Sequence, residues 1–223
     1  MRGALALGLA ALALVAAGCG GDDDPDETLT STETVGTAIP EATDTAGGGA
    51  TSFTEPEQVL EAGKDYTIVM TTNKGVLRIE LDPAAGGPIP NSIAFLVEQG
   101  FYDGLTFHRV VPDFVLQGGD PEGTGSGGPG YSVVGPVPDD YGAYKIGDVA
   151  MAKTASEAPG TAGSQFFVIS GQQGTTLPPE YGILGHAYDE ASLATIEAID
   201  ALAVSDGPPS EEVTITKATL EEG

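Results

Sequence analysis

Phe107-His108-Arg109-Val110-Val111-Pro112-Asp113-Phe114-Val115-Leu116-Gln117-Gly118-Gly119-Asp120 places a cation inside an apolar run. The chain has three arginines, Arg2, Arg78 and Arg109. Arg2 stands at the amino end, and Arg78 alternates with apolar neighbours as on a strand. Arg109 lies between Phe107 and Val110, where a guanidinium is costly unless it is hydrogen-bonded. One reading is a buried or half-buried Arg paired with a carboxylate. The other takes Gln117, just before a Gly-Gly turn, as its companion. A guanidinium and an amide beside an apolar pocket suit recognition of a peptide carbonyl.

Outward from this stretch the chain reads as short strands. Residues 66–72 have β-rich alternation, Asn73-Lys74-Gly75 is a turn, and 76–81 alternate with Leu77, Ile79 and Leu81 on one face. This predicts a hairpin. Residues 83–90 read as a loop, and Asn91 as the cap of a helix through about Gln99 that Gly100 ends. Further strands are expected over 148–153, 164–169, 181–187 and 213–220. A helix capped by Asp189 runs to Leu202, with Leu193, Ile196 and Ile199 on one side. Many short strands with two separated helices predict a mainly β fold, a closed antiparallel barrel rather than βαβ units. Gly123-Thr124-Gly125-Ser126-Gly127-Gly128 formally contains G-x-G-x-x-G, yet Pro129 and Gly130 follow where a helix should open. It reads as a surface loop, not a dinucleotide site.

The chain has 223 residues, with 33 acidic residues against 8 Lys and Arg, a formal net charge of −25. Such a surface repels phosphates and disfavours a nucleic-acid partner. The single cysteine, Cys19, excludes an internal disulfide and a cysteine-based zinc cluster, and two histidines, His108 and His186, argue against a histidine metal site. No metal and no cofactor is expected. Ser164 lacks the G-x-S-x-G surroundings of a hydrolase nucleophile.

Residues 1–19 carry one cation, Arg2, and then an apolar run over 4–17 that is short for a membrane span. The run fits the hydrophobic region of a secretory signal peptide. Its end, Ala16-Ala17-Gly18-Cys19, resembles the bacterial lipobox, whose cysteine is lipidated and becomes the new amino terminus. The resemblance implies a lipoprotein anchored at the extracytoplasmic face of the cell membrane. The other reading is an ordinary signal with an incidental Cys. Residues 20–63 have no Lys or Arg and are rich in Asp, Thr and Gly. They read as a disordered acidic linker, with a short helical turn over 54–60.

The stretch that opens with Phe107 resembles a signature of the cyclophilin-type peptidyl-prolyl cis-trans isomerases. Ala162-Gly163-Ser164-Gln165-Phe166-Phe167-Val168-Ile169 resembles the second family signature, and Phe101-Tyr102-Asp103-Gly104-Leu105-Thr106 leads into the first as in many cyclophilins. The resemblance implies that 64–223 form an eight-stranded antiparallel barrel capped by two helices. It also implies rotation about X-Pro bonds in client polypeptides, with no cofactor and from a monomer. Arg109 would stabilise the twisted amide, and Gln117 would orient Arg109. Phe114, Phe167 and Leu177 would hold the proline ring. Gln165 stands at the second contact amide. Ala152 and Lys153 occupy the strand that pairs with substrate, Lys153 in place of a frequent Asn. Val115 stands where many relatives have Met, Tyr181 near a frequent His, and Thr176 at a frequent Trp. Taken alone, Phe114 and Phe167 also suit core aromatics. Two other functions stay open: a membrane-tethered module that binds Pro-containing peptides with little or no turnover, and a structural lipoprotein of the envelope.

Overall fold

A computed structural model of the chain describes residues 51–82 and 87–223. The signal segment, Cys19 and the linker up to residue 50 lie outside the described residues.

Alternation produces the first hairpin. Strands β1 (Tyr66–Thr72) and β2 (Gly75–Leu81) pair antiparallel, with Thr72 opposite Gly75. Leu77 and Ile79 are fully buried, while Arg78 points out to Glu221 at 2.7 Å. Helix α1 (Pro88–Glu98) follows, three residues earlier than the expected cap at Asn91. Its first turn holds Pro88 and Pro90, which suit a helix start because those N–H groups have no intrahelical partner anyway. Asn91 therefore lies inside the helix and does not cap it. Its Oδ1 accepts from the Val59 and Leu60 N–H groups at 2.9 and 3.1 Å, and its Nδ2 donates to Glu57 O at 2.9 Å. The turn expected over 54–60 is not helical. Residues 51–63, read as the end of the linker, instead lie on the domain, because Phe53, Val59 and Leu60 pack against the core.

The remaining strands are β3 (Arg109–Val111), β4 (Val115–Gly118), β5 (Val133–Val134), β6 (Asp148–Met151), β7 (Thr161–Ala162), β8 (Phe166–Ile169), β9 (Ile183–His186) and β10 (Ile215–Glu222). Eight form one antiparallel sheet in the order β10-β1-β2-β9-β6-β8-β4-β3, and β5 pairs with β7. The sheet curls into a half-barrel. The expected full closure is not seen: edge strands β3 and β10 share no ladder. Single bridges Thr106↔Thr214 and Val110↔Gly207 cross the gap, with Phe107 N–H donating to Val213 O at 2.9 Å. A three-residue β3 is too short to pair along β10.

Helix α2 (Glu190–Asp200) packs on β2, β3 and β4, and α1 on β5, β9 and β10. Asp189 caps α2 by accepting from Ser192 N–H at 3.0 Å. The buried side of α2 is Ser192, Thr195, Ile196 and Ile199, and Leu193 is exposed, unlike the expected Leu193 stripe. Ser192 takes the inward place because its Oγ accepts from the Arg78 N–H of β2 at 2.8 Å.

Period-two geometry gives the sheet two buried faces. Leu116, Val149, Met151, Phe166 and Val168 enter the main core with Ile68, Met70 and Leu77. Their neighbours Val115, Ala150, Phe167 and Ile169 turn to the other face and form a second apolar cluster with Tyr144. Phe114, Ala152, Leu177, Tyr181 and Ile183 pack against that cluster. Phe114 and Phe167 thus stand apart from the main core.

Candidate active site

The second cluster floors a cleft of about 280 Å³ lined by Arg109, Phe114, Val115, Gln117, Ala152, Lys153, Phe167, Leu177 and Tyr181. Strand register explains the convergence. Arg109 on β3 is opposite Gln117 on β4, which is opposite Phe167 on β8. Side chains of directly opposed residues share a face, so cation, amide and aromatic ring emerge together.

Arg109 is held on several sides. Nε and Nη2 donate to the Asp206 carboxylate at 2.5 and 3.0 Å, a bidentate pair, and Nη1 donates to Gln117 Oε1 at 3.2 Å. Its Cζ lies 6.0 Å from the Phe114 ring centre. The bond from Arg109 lowers the pKa of the Asp206 carboxyl from its usual value. Gln117 Nε2 donates to Gln165 Oε1 at 3.1 Å, and Gln165 Nε2 donates to Gly127 O at 2.9 Å. Gln165 lies outside the cleft and lines an adjoining cavity of about 650 Å³, which shares Gln117, Ala152 and Lys153 with it.

Phe167 meets Tyr181 edge-on, with ring centres 5.3 Å apart. Tyr181 is placed by Tyr144, whose buried hydroxyl donates to Tyr181 O at 2.8 Å and accepts from Tyr181 N–H at 3.1 Å. Burial pushes the Tyr144 phenol up to about 12, so it stays a neutral donor. Lys153 has 3% of its side chain exposed; its Nζ is 3.1 Å from Glu180 and 5.5 Å from the Tyr181 ring centre. Its ammonium is thus tied into the wall. Ala152 and Lys153 lie just beyond β6, and the Ala152 N–H is already donated to Gln165 O at 2.9 Å. Thr176 is not brought to the cleft. It is exposed at the end of a short 3₁₀ turn, and its hydroxyl donates to Gln173 O at 2.8 Å.

His108 is half-buried beside Arg109, and burial lowers its pKa; the Asp120 charge opposes this and the Arg109 charge adds to it, and the net shift is downward. It is poorly suited to carry a proton at neutral pH.

Asp206, Tyr144 and Asp120 were not found by sequence reasoning. Asp206 pairs with Arg109 across 97 residues, and its signal was the Asp206-Gly207-Pro208 turn whose Gly207 bridges Val110. Asp120 accepts from Glu122 N–H at 2.8 Å and also from Gly125 N–H, inside the glycine-rich loop. Burial opposes its ionisation, but these backbone donors outweigh burial and keep its pKa low.

The arrangement is a fixed cation at the rim of an apolar slot, and among the described residues two of the five guanidinium N–H groups of Arg109 have no partner. The family model described as cyclophilin type peptidyl-prolyl cis-trans isomerase/CLD matches residues 67–220. A probable peptidyl-prolyl cis-trans isomerase B of Mycobacterium tuberculosis is 35% identical over 186 residues, covering 75% of this chain and 56% of the relative. The chain therefore spans little more than half the length of that relative. Peptidyl-prolyl cis-trans isomerase B of Bacillus subtilis is 44% identical over 105 residues, 47% of this chain and 69% of its own. A crystal structure of a Cryptosporidium parvum cyclophilin type isomerase superposes with a TM-score of 0.63 at 27% identity, covering 71% of this chain and 99% of that one. With its family match running from β1 into β10, the chain belongs to the cyclophilin type peptidyl-prolyl cis-trans isomerase family.

Proposed function

We propose that this protein catalyses cis-trans rotation of X-Pro bonds in extracytoplasmic polypeptides, as a folding factor tethered to the membrane through Cys19. The observation that carries the catalytic part is Arg109, doubly anchored at the edge of the apolar cleft of Phe114, Phe167 and Leu177. A second crystal structure of the Cryptosporidium parvum protein, obtained in the presence of the dipeptide Ala-Pro, supports a prolyl ligand for that relative.

Resonance gives the peptide C–N bond a barrier of about 18–20 kcal/mol. In the twisted state resonance is lost, and the prolyl nitrogen regains a lone pair that accepts a hydrogen bond. Among the described residues, Asp206 and Gln117 engage three guanidinium N–H groups of Arg109, which leaves two for substrate. The cleft takes the ring, and the preorganised guanidinium meets charge that develops as the bond twists. Lowering the barrier by about 7 kcal/mol gives roughly 10⁵-fold in rate.

Arg109→Ala is expected to lower kcat/KM by about 10²–10³-fold, and Arg109→Lys to recover part, since an ammonium lacks the planar fork. Exchange NMR between the cis and trans forms of a short Pro peptide measures this. Wild-type turnover by folded Arg109→Ala would refute the mechanism, and binding without turnover by wild type would favour a Pro-peptide binding module. The anchor rests on the sequence around Cys19. Cys19→Ala is expected to abolish fatty-acid labelling in cells, and equal labelling of the variant would defeat the tether.

A further inference from the structure

The chain ahead of β1 reaches the glycine-rich loop that walls the larger cavity. Phe53 packs edge-on to Phe95, ring centres 5.2 Å apart, and stands 6.4 Å from Phe101. Its N–H donates to Pro129 O at 2.7 Å. Gly130, at φ +88°, is pressed so closely that a Cβ there would lie 2.7 Å from Phe53 O. A few residues on, Asn91 clamps Glu57, Val59 and Leu60 to α1. Residues 51–60 thus form a strap pinned at both ends.

The loop needs such bracing. Residues 123–130 contain five glycines, each of which loses more backbone freedom on ordering than any other residue. Asp120 holds the loop near its start, through Gly125. Phe53 holds its end, through Pro129. Between these supports, Gly127 O accepts from Gln165 Nε2 at 2.9 Å. Gln165 Oε1 accepts from Gln117 Nε2, and Gln117 Oε1 accepts from Arg109. Each amide has one acceptor end and one donor end, so fixing the Gly127 carbonyl selects the orientation of both. A displaced carbonyl lets Gln165 turn, and Gln117 then loses its reason to present oxygen to Arg109.

We infer that the strap 51–60 positions the isomerase site: Phe53, through Pro129 and Gly130, holds the glycine-rich loop, and Gly127 O sets the amide relay that aims Arg109. The inference rests on the isomerase reading above. Phe53 touches no substrate and acts as a positioning residue.

The test uses the full chain carrying Phe53→Ala, Phe53→Leu or Asn91→Ala. Phe53→Ala should lower kcat about fivefold and change KM less than about twofold, because the apolar cleft is intact. Amide hydrogen exchange over 123–130 should speed up at least about tenfold, with exchange in β6 and β8 unchanged. Phe53→Leu keeps an apolar plug and should restore more than half of kcat. Asn91→Ala frees the other end of the strap and should shift both readouts in the same direction. Wild-type kcat or unchanged loop exchange in folded Phe53→Ala would overturn the inference, as would Phe53→Leu failing like Phe53→Ala. Failure of both Phe53→Ala and Asn91→Ala to fold would place the strap in the core and also overturn it. If wild type does not isomerise at all, the isomerase reading falls and the aiming role falls with it. Loop exchange and titration with a Pro peptide then show whether the strap still braces the loop.

Discussion

Arg109 and His186 show how one contact type serves two ends. Arg109, which lines the cleft, is bonded to Asp206 and Gln117, and among the described residues two of its N–H groups have no partner. His186 is bonded to Asp148 at 2.8 Å through Nδ1, lies 3.6 Å from Asp82 through Nε2, and stacks on Tyr188, whose hydroxyl also donates to Asp148. This group ties β9 to β6 and to the end of β2. The hydrogen bond with Asp148 raises the His186 pKa above 6.5, Asp82 adds to it, and burial opposes both. A raised folded pKa means stability that is full below the unfolded value of 6.5 and is lost as pH rises through the folded value. The Tm of wild type should therefore fall by about 1–3 °C more than that of His186→Gln as pH rises from about 6 to 9. Parallel thermal-melt curves for the two proteins would show that the pairing contributes nothing. At this scale the sequence revealed Arg109, Gln117, Phe114 and Phe167, because their motif keeps them on one short stretch or one strand. Asp206 and Tyr144 were hidden, since their partners are set by chain closure 97 and 37 residues away and no spacing rule connects them.

The two motif segments meet at the end of β4. Gly119, at φ +81°, faces Ser164, and a Cβ there would stand 2.4 Å from Ser164 O and 3.0 Å from the Phe166 ring. Ser164 Oγ donates to Gly119 O at 2.7 Å, and Ser164 O accepts from the buried Tyr102 hydroxyl at 3.0 Å. Neither side can yield without breaking a buried hydrogen bond, and backbone at positive φ strains any side chain. Gly119→Ala should cost at least about 2 kcal/mol and lower Tm by roughly 4–8 °C. A melt at the wild-type temperature would contradict this description of the junction. Elements were legible where a period ran long enough: the β1–β2 hairpin and the Asp189-capped helix appear where alternation and capping chemistry put them. The start of α1 was not legible, because Pro88 and Pro90 look like loop residues and are equally good first-turn residues. The two-residue strands β5 and β7 leave no periodic trace at all. Leu193 misled because a spacing of three fits more than one helix face, and the Ser192 bond to β2 chose another.

At the scale of the whole chain the composition is acidic, while the candidate site is lined by cations. The chain's formal charge is −25, and the two cations that line the cleft, Arg109 and Lys153, are each paired with a carboxylate. Pairing nearly cancels their long-range field, so an approaching peptide meets the acids first. The surplus attracts cationic segments and repels anionic ones before any contact forms in the cleft. On the proposed mechanism chemistry at Arg109 is untouched by this field, because the guanidinium would act on an uncharged amide. Charge selection therefore belongs to encounter and not to chemistry, and added salt should erase it. At low ionic strength a Pro peptide flanked by Lys should be turned over with kcat/KM about 3–10-fold above its Glu-flanked counterpart, the difference lying in KM. At 1 M salt the Debye length is about 3 Å, and the two peptides should agree within about twofold. A Lys preference that persists in high salt would place the discrimination in direct contacts within the cleft, and equal rates at low salt would show that the acidic surface plays no part in client capture.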